Sequence, residues 1–148
     1  MSFLTSIAGK LGIGRLPSAV RAQLETDGGI LYLAESVGAT ATFENYQAPG
    51  FYCICRKMGF IGYLALSQKR LAAHAGFWDR ISLNLPYADP RFAAISIQAE
   101  RKTMALSYDA SKMSPEASGR VTIRYHLPDP EEAARLLQSE QSRAESHP

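Results

Sequence analysis

Of 148 residues, two are cysteine, three are histidine and one is tryptophan. So little material of this kind removes whole classes of chemistry. Cys53 and Cys55 stand two apart on an apparent strand, so they project from one face and cannot easily bond to each other. A single C-x-C lacks the second pair that specifies a zinc site. Ligation together with His74 or His126 would need the fold to gather them, and filling one face of a strand is the simpler role for two small side chains. His74, His126 and His147 each stand alone. A Cys–His or Ser–His pair would have to meet in space, and no nucleophile elbow, phosphate loop or H-E-x-x-H motif is present. Gly12-Ile13-Gly14 is too short for a dinucleotide fingerprint and follows no strand. The expectation is a non-enzymatic protein with no metal and no cofactor.

Charge of one sign is also scarce. The formal net charge is +2, whereas nucleic-acid binders carry a basic stripe, so no nucleic-acid partner is expected. No apolar run approaches the ~18 residues that span a bilayer. The first residues lack an early positive cluster, and Lys10 and Gly12 interrupt their apolar stretch, unlike a secretory signal. Together with two unpaired cysteines, this points to the cytoplasm.

With 46% hydrophobic and 20% charged residues, the composition is that of an ordinary globular chain able to build one core. Phe3, Leu4, Ile7, Ala8 and Leu11 recur at helical spacing, and a second short helix is predicted from Pro17, with Val20 and Leu24 on its inner face. Asp27-Gly28-Gly29 closes it. Residues 1–27 thus read as a helical extension. From Ile30 to Leu127 the texture changes to short apolar runs between turns. Candidate strands are Ile30–Glu35, Thr40–Tyr46, Phe51–Arg56, Phe60–Leu66, Arg70–Ala75, Ile81–Leu85, Ala94–Ala99, Thr103–Tyr108 and Arg120–Leu127. The last alternates cleanly, with Val121, Ile123, Tyr125 and Leu127 on one face and Arg120, Thr122, Arg124 and His126 on the other. Asp109–Gly119 reads as a long polar loop. A final helix opens with Asp129-Pro130-Glu131-Glu132, a capping and first-turn sequence. It carries the stripe Ala133, Leu136 and Leu137, and residues 139–148 read as a flexible tail.

Gly62-Tyr63-Leu64-Ala65-Leu66-Ser67-Gln68-Lys69-Arg70-Leu71 resembles a hairpin of the pleckstrin-homology (PH) superfold, in its GRAM-like and bacterial PH-like forms. Ser118-Gly119-Arg120-Val121 and Ala48-Pro49-Gly50 are similar to segments of the same proteins. The resemblance covers roughly residues 28–138. It implies a mainly β fold: a partly open barrel of about seven strands, capped by a C-terminal helix. Two features depart from that family. The segment read as the first hairpin, Glu35-Ser36-Val37-Gly38-Ala39-Thr40, has no Lys or Arg to clamp a phosphate, and Trp78 lies in mid-chain rather than in the last helix. Inositol-phosphate recognition in the usual mode is therefore not expected.

Binding candidates lie in two aromatic loops, Phe77-Trp78-Asp79-Arg80 and Leu85-Pro86-Tyr87-Ala88-Asp89-Pro90-Arg91-Phe92. Phe77, Trp78, Arg80, Tyr87 and Arg91 are of the types that populate binding surfaces, while Trp78 and Tyr87 equally suit plugs for the barrel mouth. The basic pairs Arg56-Lys57, Lys69-Arg70 and Arg101-Lys102 would meet an acidic surface if they cluster at one barrel end, but solvating turns and edges is their simpler role. The leading expectation is a binding or scaffolding domain for a protein or peptide, using the aromatic loops, an open strand edge or the N-terminal helices. The alternative is a carrier of a small apolar ligand or lipid, with the ligand inside the barrel or under the helix. The N-terminal stripe would also suit peripheral membrane contact or packing against the barrel or a second copy of the chain.

Overall fold

The alternation in residues 120–127 is the most legible feature of the sequence, and the sheet is built around it. The computed structural model describes residues 14–75 and 82–145, with side chains described to residue 143. The Phe3–Leu11 stripe, the loop residues Phe77, Trp78 and Arg80, and His147 lie outside the described residues. The elements are α1 (Ser18–Thr26), β1 (Ile30–Ala48), β2 (Phe51–Ser67), β3 (Arg70–Ala75), β4 (Ser82–Pro86), α2 (Pro90–Ala93), β5 (Ser96–Glu100), β6 (Thr103–Asp109), α3 (Ala110–Met113), β7 (Ser118–His126) and α4 (Pro130–Glu145). Seven antiparallel strands in the order β4-β3-β2-β1-β7-β6-β5 form an open half-barrel with α4 against β5 and β6.

The expected mainly β fold with about seven strands and a closing helix is present, but two boundaries differ. Ile30–Glu35 and Thr40–Tyr46 are parts of one strand, and so are Phe51–Arg56 and Phe60–Leu66. The turn-like composition of Glu35–Thr40 is used for a bulge: Ser36 takes a φ of 52°, and the register to β2 shifts between Ala34 and Val37. A second irregularity sits at Asn45, φ 49°, where the register to β7 shifts. Each bulge bends β1 without ending it, so one strand borders both β2 and β7. The first hairpin is therefore the turn at residues 48–51, and the absence of Lys and Arg from Glu35–Thr40 describes a bulge instead of a hairpin tip.

The concave face carries the main core. Leu64, Leu71, Met104, Leu106, Ile123 and Tyr125 are fully buried there, and Ala133, Ala134 and Leu137 of α4 close over it. On the convex face, Leu24 of α1 packs with Leu16, Tyr63, Ala65 and Ala72. Burying Leu24 contributes about 1.5–3 kcal/mol. The half-exposed Arg21–Glu35 pair at 2.6 Å adds ~0–1 kcal/mol. Apolar docking therefore sets the position of α1, and the Arg70–Asp27 pair at 3.0 Å fixes its exit.

Two further expectations change. The stretch 109–119 holds a helical turn, with Asp109 accepting from the Ser111 N–H at 2.9 Å and Ala110 buried. The chain after Ser139, expected to be a flexible tail, stays helical to Glu145. Its polar residues are engaged: Gln141 Nε2 donates to the carbonyls of Ile95 (2.6 Å) and Phe92 (3.1 Å), and Gln138 Nε2 donates to that of Ile97 (2.8 Å).

Candidate functional site

The described part of β3 ends at Ala75, opposite Gly62 of β2. β2 runs eleven residues beyond that point, from Phe51 to Ile61, paired with β1 on one side and with no strand on the other among the described residues. At ~3.3 Å per residue this is ~35 Å of strand along which no second described strand pairs with β2.

One side of this arm is anchored. The rings of Phe43, Tyr46 and Phe51 meet edge to face at 5.0–5.7 Å, and Cys53, Met58 and Phe60 pack against the main core. The Arg56 guanidinium lies 5.9 Å from the Phe51 ring centroid, within cation–π range. The rest faces solvent: Tyr52 is 67% exposed and Ile54 is 69% exposed, and Cys55, Arg56 and Lys57 are also exposed. Two large exposed apolar side chains on a strand with no second described partner are what sheet edges are normally built to avoid.

The other edges are better protected. At β5 the Ile97 carbonyl is capped by Gln138 of α4. β4 has only five residues. The part of β1 before Ala39, where pairing with β7 begins, exposes Leu31 and Leu33 but is broken by the Ser36 bulge, whose N–H donates to Gly14.

A cavity of about 430 Å3 opens at the hairpin end of the half-barrel, between Ala48 and Pro49, the start of β4 and α3. Its wall is largely apolar, including Leu83, Met113 and Val121, with Tyr46 and Tyr108 buried in it and Glu116 in the lining. Burial, followed by the nearby Tyr46, pushes the Tyr108 hydroxyl well above its ordinary pKa, so it stays neutral.

Of the residues picked from the sequence, Tyr87 is buried, its ring 4.9 Å from that of Phe92 and its hydroxyl donating to the Ser67 carbonyl at 2.8 Å. It plugs the sheet and offers no free polar group. Arg91 is exposed and held by Asp89, its Nη2 2.8 Å from Oδ2. Hydrogen bonds from the Arg91 side chain and backbone hold the Asp89 carboxyl below its usual range, so this pair is a local clasp at the start of α2. His74 stacks on Tyr63 at 5.6 Å, and His126 is exposed on β7. Among the described residues no group of three His, Cys, Asp or Glu is placed to hold a metal ion.

Tyr52 and Ile54 were missed because Phe51–Arg56 reads as an ordinary strand. The available signal was the run Tyr52-Cys53-Ile54-Cys55-Arg56-Lys57, which lacks the apolar–polar alternation of a half-buried strand and carries no carboxylate. No family model matches the chain, and neither does any curated protein or solved structure.

Proposed function

We propose that this chain is a non-enzymatic, PH-like binding module that takes an extended polypeptide by strand addition along β2 between Tyr52 and Ile61. The observation carrying the reading is the run Tyr52–Ile61, which pairs with no second strand among the described residues and leaves Tyr52 and Ile54 two-thirds exposed. Strand addition satisfies the outward backbone groups and covers alternate side chains in one step. The anchored underside supports it, because a rigid template loses little entropy on binding. The PH-like part of the reading rests on the Gly62–Leu71 hairpin sequence together with an open seven-stranded sheet closed by α4. A cytoplasmic setting fits the exposed thiol of Cys55. No helix among the described residues is long and apolar enough to cross a membrane.

The test is site-specific photocrosslinking in the native cell. A benzophenone amino acid at position 52 or 54 should trap a polypeptide, whereas one at Gln98 on β5 should not. Equal capture from both edges, or none from β2, overturns the reading.

The second reading, a carrier of a small apolar ligand, is favoured by the cavity beside Tyr108. Its ligand would be uncharged or cationic, because the lining has no Lys or Arg among the described residues and includes Glu116. Native mass spectrometry of the freshly purified protein decides it: a bound small molecule lost in Val121→Trp supports the carrier, and bare protein counts against it.

A further inference from the structure

On its convex side the sheet is covered over β2 and β3, where Leu24 and Leu16 pack onto Tyr63, Ala65 and Ala72. Leu33 of β1 pairs with Ala65, so it stands on this same face, one strand beyond that cover. It is 38% exposed, and Leu31, two residues earlier, is 49% exposed. Neither leucine is part of either hydrophobic core among the described residues. Glu35 reaches Arg21 of α1 at 2.6 Å, so α1 borders the Leu31–Leu33 strip.

The chain enters α1 beside this strip. The Gly14 carbonyl accepts from the Ser36 N–H of β1 at 2.9 Å. A Cβ at Gly14 would meet Ile61 Cγ2 at 2.9 Å and the Gly62 carbonyl at 3.0 Å. Gly14 thus lies over the boundary between β1 and β2, and Leu16 is buried just after it. Its φ of 74° is the left-handed conformation that commonly ends a helix. Ahead of it, Phe3, Leu4, Ile7, Ala8 and Leu11 keep helical spacing.

We propose that residues 2–12 fold back as a helix over β1, covering Leu31 and Leu33 and forming a helical hairpin with α1 across the convex face. The dimensions agree. Along a helix axis Ile7 lies ~10.5 Å and Phe3 ~16.5 Å from Gly14. Along β1, Leu33 lies ~10 Å and Leu31 ~16.5 Å from Ser36, the residue bonded to Gly14. Ile7 therefore falls at Leu33, and Phe3 with Leu4 at Leu31. Residues 13–17 supply the connection, within the length usual for two antiparallel helices. Docked in this way, the apolar stripe is withheld from membranes and from other proteins. The inference is independent of strand addition at β2.

Two other arrangements fit less well. Two part-exposed leucines fall far short of the ~800 Å² per partner that a stable dimer buries, so a second copy would need more surface than this strip offers. A helix that lies on a membrane has a strongly charged polar face rich in Lys and Arg, whereas Lys10 is the one cationic side chain in residues 1–13.

Hydrogen exchange of the full chain, read by mass spectrometry against a free peptide of residues 1–14, tests the docking. Amides of residues 4–12 should exchange ~10-fold more slowly in the protein than in the peptide. Ile7→Asp, and separately Leu33→Asp, should return them to the peptide rate. Ile7 lies outside the described residues and Leu33 is part-exposed, so circular dichroism should show both variants folded. A benzophenone amino acid at position 33 should crosslink to residues 3–11 of the same molecule. One at Thr122, which pairs with Thr42 farther along β1, should not.

Peptide-like exchange in the protein, protection that survives either substitution, or no crosslink from position 33 overturns the proposal. Crosslinks between two molecules that increase with concentration overturn it in favour of a second copy. Protection that arises only with phosphatidylglycerol vesicles overturns it in favour of a membrane.

Discussion

The hydroxyl of Tyr32, near the start of β1, donates a 2.9 Å hydrogen bond to Asp129 Oδ1, one residue before α4 begins. It joins the two ends of the folded unit across 97 residues of sequence. Tyr32→Phe should cost about 0.5–1 kcal/mol, because the bond is partly solvated, and equilibrium urea unfolding at constant m-value would show it. Desolvation, followed by this bond, also holds the Tyr32 hydroxyl neutral well past its ordinary pKa.

Glu132 lies on the other side of Asp129. The hydrogen bond with Asp129, together with its charge, raises the Glu132 carboxyl above the ordinary carboxylate range. The folded state therefore keeps this proton over a range in which the unfolded chain has released it. That contribution is full at low pH and is lost as pH rises through the range just above the usual carboxylate pKa. Glu132→Gln should flatten this decline in a series of thermal melts, leaving the acid-side stability nearly unchanged.

Gly62 passes so close to the His74 carbonyl that an added Cβ would collide with backbone. Neither partner can swing aside, since the two strands are paired in register. Gly62→Ala should destabilise by more than ~2 kcal/mol through displaced backbone. A melting temperature within a degree of the parent would show that the strands can part there freely.

The Tyr125 hydroxyl is wholly buried and has no hydrogen-bond partner among the described residues, although the His74 backbone is nearby. Its burial keeps it protonated far above its ordinary pKa. Removing a buried, unsatisfied hydroxyl relieves ~1 kcal/mol or more of desolvation cost, so Tyr125→Phe should stabilise the fold. A loss of stability in denaturant titrations would mean that the hydroxyl is in fact bonded.

Gln141 bridges the carbonyls of Phe92 and Ile95. Gln141→Ala should cost about 1 kcal/mol and speed amide exchange in β5. Truncation after Gln138 should do the same and more. Unchanged exchange would leave the last turns of α4 with no structural role.

Much of this fold could be read directly. Val121, Ile123, Tyr125 and Leu127 are buried as their alternation requires, and α4 begins at Pro130 as its first-turn residues imply. Leu24 is buried on the inner face foreseen for α1. The bulges were less legible. Glu35-Ser36-Val37-Gly38 has the residue types of a turn, and local chemistry alone does not distinguish a strand that reverses from one that bends. Pairing with β2 on both sides of Ser36 decides it. The helical residues after Ser139 were also hidden, because their partners are backbone carbonyls of a segment more than forty residues earlier.

The candidate site divides in the same way. Its chemistry is in the sequence: Tyr52, Ile54, Arg56 and Lys57 lie in a run without carboxylates. Its exposure is not, since whether such a run is a core strand or an open edge depends on how far its neighbours extend. Among the described residues β3 pairs with β2 as far as Gly62, while β1 continues beside β2 to Phe51. Sequence alone determined the periodicity, the caps and the charge pattern, because these depend on near neighbours along the chain. The tertiary structure alone decided which side chains of that run face solvent, because that depends on what distant strands pack against.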